Sequence, residues 1–220
     1  SCYYGFTQLK QSERINAMDQ EIEVKFLIND YERLMRKINN LGLICARPRT
    51  YERNLRYDTP DQRLLYARQV LRLRKDDLAR LTFKGPGALQ EGVLTRKEIE
   101  VVVSDFDAAN RFLEALGYQV VLMYEKYRAN YLIDELVLSL DETPFGYFVE
   151  LEGKSPAQVK TAANLLGLDW EERINLSYSG LLEQYNQNTG QAFRDLSFEV
   201  FQGLEVTPAD LGLTYADLSE

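Results

Sequence analysis

Histidine is absent from the 220 residues. Its absence removes the imidazole general base, the commonest nitrogen ligand of zinc, and every Ser or Cys triad that depends on imidazole. The two cysteines, Cys2 and Cys45, are too few for a disulfide framework or a cysteine-rich zinc site, and they imply a reducing cytoplasm. No run approaches the roughly 18 apolar residues that a membrane span needs, so no membrane partner is expected. The first 17 positions include Tyr3, Tyr4, Lys10, Glu13 and Arg14 but no apolar core, so they do not read as a signal peptide. Positive charge is also scarce. With 26 Lys and Arg against 34 Asp and Glu the net charge is −8, which argues against nucleic-acid binding through a global positive field. Any catalysis must therefore use carboxylates, Lys, Arg, Tyr or a metal held by oxygen.

What is present suits a folded, soluble chain: 45% of residues are hydrophobic and 27% charged, over a length that makes one large domain or two small ones. Helices are announced by their caps. Ser104 as N-cap, the stripe Phe106, Ala109, Leu113, Leu116 and the stop at Gly117 predict one. Ser155 with Pro156 at the first helical position, then Val159, Ala162, Ala163 and Leu166 before Gly167, predicts a second. Residues 30–41, with Leu34, Ile38 and Leu41 together, predict a third, and Ser177 to about Gln187 a fourth. Elsewhere the apolar period is two, over 20–28, 51–57, 69–75, 80–84, 94–103, 121–133, 136–141 and 146–153, which predicts eight strands joined largely as antiparallel hairpins.

Charge on these strands recurs at spacing two, and side chains at i and i+2 share a face. Glu21, Glu23 and Lys25 oppose Ile22, Val24 and Phe26; Arg72 with Arg74, Glu98 with Glu100, Lys126 with Arg128, and Glu150 with Glu152 repeat the pattern. An ordinary sheet with a solvated charged face is one reading. The other is a closed barrel with its charged faces inward and its apolar outer faces covered by the amphipathic helices, since eight strands suffice for closure. Unpaired ions inside such a barrel would cost several kcal/mol each. A polyphosphate chelated by divalent cations satisfies both signs, with carboxylates on the metals and Lys or Arg on the phosphoryl oxygens.

The Glu21-Ile22-Glu23-Val24-Lys25 stretch resembles the E-x-E-x-K signature of the CYTH superfamily, which contains class IV adenylate cyclases, thiamine triphosphatases and inorganic triphosphatases, also called triphosphate tunnel metalloenzymes. The resemblance continues in family order through Tyr57-Asp58-Thr59, Leu71-Arg72-Leu73-Arg74, Phe83-Lys84-Gly85, Arg96-Lys97-Glu98-Ile99-Glu100, Glu125-Lys126-Tyr127-Arg128, Leu140-Asp141-Glu142 and Phe148-Val149-Glu150-Leu151-Glu152-Gly153, over about residues 19–185. It implies an α+β, strand-rich fold, an eight-stranded antiparallel tunnel with helices outside, that binds a triphosphate with Mg or Mn. Glu21, Glu23, Glu98, Glu100, Asp141, Glu150 and Glu152 would then hold metal directly or through water. Lys25, Arg72, Arg74, Lys126 and Arg128 would hold phosphate, and Tyr57 and Lys84 would orient or deprotonate the attacking water. Arg96 and Lys154 read as solvated rim. Tyr178 resembles a late family position, whereas Leu176 departs from the basic residue common there.

The expected organisation is an extension over 1–17, a tunnel domain over 18–187 and an appendage over 188–220. The expected function is metal-dependent hydrolysis of a small triphosphate: inorganic triphosphate, thiamine triphosphate or a nucleoside triphosphate. A cyclase acting on ATP and a non-catalytic polyphosphate-binding module are the alternatives, and a homodimer is left open.

Overall fold

A computed structural model describes the backbone of residues 20–217 and the side chains from Ile22 onward. The expected extension over 1–17, and the side chain of Glu21, lie outside the described residues. The strands are β1 (Gln20–Ile28), β2 (Ile44–Asp58), β3 (Val70–Lys75), β4 (Ala79–Lys84), β5 (Ala88–Gln90), β6 (Val93–Val103), β7 (Gln119–Ile133), β8 (Leu136–Thr143) and β9 (Gly146–Gly153). Hydrogen bonding runs β1-β9-β8-β7-β2-β3-β4-β6, and β6 pairs back onto β1, so eight antiparallel strands close into a ring. β5 is a short extra strand on the N-terminal half of β6.

The helices are α1 (Tyr31–Asn40), α2 (Arg63–Tyr66), α3 (Phe106–Ala115), α4 (Pro156–Leu166) and α5 (Tyr178–Thr189). Their caps follow the sequence closely. Asp30, Ser155 and Ser177 cap α1, α4 and α5 through their side chains, and Gly167 ends α4 in the left-handed region at φ 73°. The cap of α3 is Asp105 rather than Ser104, because its carboxylate accepts the Ala108 amide. β2 starts seven residues before the expected 51. That arm carries Pro48, which has no N–H to donate, and its pairing with β7 breaks register between Cys45 and Arg47 and again before Thr50.

Three apolar layers set which faces point inward. Outside the ring, Ile22, Val24 and Phe26 of β1, Leu138 of β8, and Val149 and Leu151 of β9 pack under α1 and α4 against Ile38, Val159 and Leu166. Also outside, Leu55 and Tyr57 of β2 and Leu73 of β3 pack under Phe106 and Leu113 of α3. The third layer plugs one end of the ring: Leu27, Tyr124 and Phe148 meet Tyr178, Leu181 and Leu182 of α5 together with Leu196, Phe201 and Leu211 from the C-terminal segment. Leu196 bridges to β7 through the Met123 carbonyl and the Glu125 amide, at 2.9 and 3.0 Å. The Asp217 carboxylate accepts the backbone amides of Asn29 and Asp30. Residues 188–217 are thus built into the same body as the ring.

Candidate functional site inside the ring

Because the apolar neighbours face outward, the alternate residues of every strand converge on the interior. β1 supplies Glu23 and Lys25, β9 Glu150 and Glu152, β8 Asp141, and β7 Tyr124, Lys126 and Arg128. From the opposite wall β2 supplies Glu52, Asn54 and Arg56, β3 Arg72 and Arg74, β4 Thr82 and Lys84, and β6 Arg96, Glu98 and Glu100.

At the centre of one wall Asp141, wholly buried, accepts Arg128 through both oxygens at 2.6 Å, Lys126 at 2.8 Å and the Tyr178 hydroxyl at 2.6 Å. Lys25 and Arg128 both pair with Glu150. Burial alone would raise both carboxyls, but Arg128 first, then Lys126 at Asp141 and Lys25 at Glu150, hold them below the ordinary carboxylate range. Burial, then Asp141 and Glu150, push the Tyr178 phenol well up, so it stays a donor. The Lys25 and Lys126 ammonium groups sit over its ring at 4.5 and 4.9 Å.

On the opposite wall Lys84 pairs with Glu98 at 3.1 Å, and Arg74 with Glu100 at 3.3 Å. Glu52 is 1% exposed, with Arg47, Arg74 and Lys126 at 3.6–3.9 Å, and neither of its oxygens accepts a hydrogen bond. Near the plugged end, Arg72 reaches the Tyr124 hydroxyl and Thr82 Oγ1, each at 3.3 Å. Burial would raise the Tyr124 phenol, yet Arg72, then Lys126, outweigh it and hold it below its ordinary value.

The donors suited to a metal are all carboxylate oxygens, which fits a hard divalent cation such as Mg or Mn. Glu23 and Glu152 are register partners across β1 and β9 on the interior face, a like-charge pair that Arg96 moderates by donating to Glu23. Glu150 follows at the next inward position of β9. Asp141 differs: four donors occupy its acceptor positions, so here it anchors basic side chains. Glu98 and Glu100 are likewise engaged with basic partners. Among the described residues no three acidic side chains form a ready-made metal cage.

Of the residues expected from the sequence, the ring therefore brings together Glu23, Lys25, Arg72, Arg74, Lys84, Glu98, Glu100, Lys126, Arg128, Asp141, Glu150 and Glu152. Tyr57 is the correction. One residue past the inward-facing Arg56, it turns to the outer layer under α3, where its hydroxyl donates to Asn110 at 2.5 Å and burial pushes its phenol up to about 12. It cannot touch a molecule inside the ring. Arg96 is not rim either: it faces inward and donates to Glu23 at 3.2 Å, whereas Lys154 is exposed and pairs with Glu135. Glu52, Asn54, Arg56 and Tyr124 were missed. The signal that finds them is parity, because each lies two or four residues from another inward position on β2 or β7.

A family model for the CYTH domain matches residues 19–178. A Methanocaldococcus jannaschii protein, provisionally named an adenylate cyclase, is 27% identical over 134 residues, 60% of this chain and 75% of that one. The fold is similar to that of a Vibrio parahaemolyticus protein, also provisionally named an adenylate cyclase, with a TM-score of 0.68 at 21% identity over 76% of this chain and 99% of the other. It is also similar to that of a Hippeastrum protein, provisionally named an adenylyl cyclase and reported to have a dominant triphosphatase activity, with a TM-score of 0.56 at 19% identity over 79% and 97%. With the closed ring and the matched residues in agreement, the chain belongs to the CYTH domain family.

Proposed function

We propose that the protein is a divalent-metal-dependent hydrolase that removes the terminal phosphoryl group of a small triphosphate. The observation that carries this reading is the make-up of the interior: basic side chains from β1, β2, β3 and β7 share one tunnel with the carboxylates Glu23, Glu150 and Glu152, two of which, Glu23 and Glu152, are register partners. A linear polyanion with cations attached offers partners to both signs of side chain, whereas an apolar or neutral ligand would take these charges further from water and offer none.

Lys25, Arg72, Arg74, Lys126 and Arg128 bind and orient the phosphoryl oxygens, with Asp141 and Glu150 fixing the side chains of Lys25, Lys126 and Arg128. Glu21, Glu23, Glu150 and Glu152 would hold the divalent cation. When bound, it supplies neutralisation of the phosphate charge. In the chemical step water oxygen bonds to the terminal phosphorus and the bond from that phosphorus to the bridging oxygen breaks. The shortened phosphate chain keeps the bridging oxygen. Lys84, held by Glu98, positions the water, and in a loose transition state the water's proton can end on the product orthophosphate. The arginines stabilise charge spread over the transferred group.

The names of the Methanocaldococcus and Vibrio relatives favour a second reading, conversion of ATP to cyclic AMP and pyrophosphate on the same scaffold. A panel of tripolyphosphate, thiamine triphosphate and ATP with Mg or Mn, with products identified, separates the two. Orthophosphate release supports hydrolysis. Cyclic AMP with pyrophosphate replaces that reading with the cyclase.

A further inference from the structure

Near the end of the ring plugged by α5, two arginines lie together, and among the described residues the one carboxylate paired with either is Glu100, 3.8 Å from Arg72. Arg56 on β2 and Arg72 on β3 are register partners on the inward face, and two like charges directly opposed across antiparallel strands destabilise the pair. Arg56 has no carboxylate partner among the described residues; its Nη1 donates to Ser179 Oγ of α5 at 2.5 Å, and its Nε is buried without an acceptor. The Nε of Arg72 is buried without an acceptor too. One inward position before Arg56 on β2, opposite Arg74 of β3 and Tyr124 of β7, lies Asn54, 0% exposed, with neither its amide nitrogen nor its amide oxygen hydrogen-bonded. A buried amide left unpaired is a cost to the folded protein that a ligand can remove. Three side chains thus hold unused donors at two successive inward levels of the tunnel wall.

We infer that Asn54 and Arg56, with Arg72, form an anion subsite that receives the terminal phosphoryl group of a linear polyphosphate at the α5 end of the tunnel. This rests on the proposed triphosphate reading and extends its ligand set to two residues of β2. The oxygens of a phosphoryl group accept from Arg56 Nε, Arg72 Nε and Asn54 Nδ2, and its charge relieves the opposed guanidinium groups. Ser179 fixes the Arg56 fork from the first turn of α5, so it is a positioning residue. The free protein is therefore held below its attainable stability at these levels, and the ligand restores the difference.

That trade is what the test reads. Asn54→Leu and Arg56→Gln are each compared with wild type by melting of the ligand-free protein and by calorimetric titration of inorganic tripolyphosphate in Mg-containing buffer. The expected result is a ligand-free melting temperature equal to or above wild type, with tripolyphosphate bound about 10- to 150-fold more weakly, the range for losing a hydrogen bond to a charged group. Wild-type affinity in both variants overturns the subsite. So does loss of folding or of ligand-free stability in both, which would make the residues structural. A wild type that binds tripolyphosphate without hydrolysing it removes the hydrolase reading and leaves the subsite standing. One that hydrolyses it while both variants bind normally removes the subsite alone.

Discussion

Asp141 shows how a single carboxylate organises the interior. Two basic side chains and a phenol converge on it, and none of them has water to turn to. Asp141→Asn keeps the shape and removes the charge, leaving Lys126 and Arg128 under-compensated. Breaking a buried pair in this way costs about 3–5 kcal/mol, which a urea unfolding curve would register as a lower midpoint at unchanged slope. Asp141 and Glu150 are both held below their ordinary values, so their contribution to stability is complete above the unfolded carboxyl range, near about pH 4, and is lost as pH falls through the lowered folded values. The variant should therefore lose less stability than wild type on acidification below pH 4. Tyr57 makes the opposite case. Its hydroxyl serves the Asn110 contact under α3, so Tyr57→Phe is expected to lower stability by about 1 kcal/mol and to leave turnover unchanged at every pH. A large fall in turnover at unchanged fold would return this tyrosine to the chemistry. Charged doublets at spacing two made most of the interior legible in the sequence, because alternation transfers directly to a barrel wall. Tyr57 misled because the motif carrying it says nothing about parity. Glu52, Asn54 and Arg56 escaped because they are chemically mixed and form no doublet of one sign.

At the scale of elements, the helix caps and the period-two runs placed four helices and eight strands near their observed positions, since both signals are local. Elements whose formation depends on neighbours were not legible. The N-terminal arm of β2 carries Pro48 and exposed basic residues and is a strand only because β7 extends beside it. β5 has three residues and exists by pairing with β6. The role of α5 was likewise hidden. Its amphipathic pattern promised a helix laid on an outer face, yet its first turns enter the end of the ring, with Leu181 fully buried against the layer that includes Leu27, Tyr124 and Phe148. Leu181→Ala is expected to cost about 2–5 kcal/mol and to loosen the Ser179 hold on Arg56. Thermal unfolding gives the first effect, and weaker tripolyphosphate binding gives the second. A destabilised variant with wild-type affinity would separate the plug from the phosphate-binding wall.

The whole molecule follows from closing an antiparallel sheet on itself with its charges inside. Closure gives every ring strand a neighbour on both sides, with a free edge left along the N-terminal arm of β2, and the outer apolar faces find their cover in α1, α3 and α4. The cost is an interior of ions balanced mostly against one another, with like charges still opposed at Arg56–Arg72. That mixture of signs is the physical reason to expect a ligand carrying both metal cations and phosphate, and it makes the site of attack on that ligand the decisive question. Turnover of tripolyphosphate, and separately of ATP, in water enriched in oxygen-18 with Mg or Mn, followed by phosphorus NMR and mass analysis of products, answers it directly. Hydrolysis at the terminal phosphorus places one labelled oxygen in the released orthophosphate and none in the diphosphate. Unlabelled cyclic AMP and pyrophosphate from ATP, label in the diphosphate, or no turnover of either compound would contradict it.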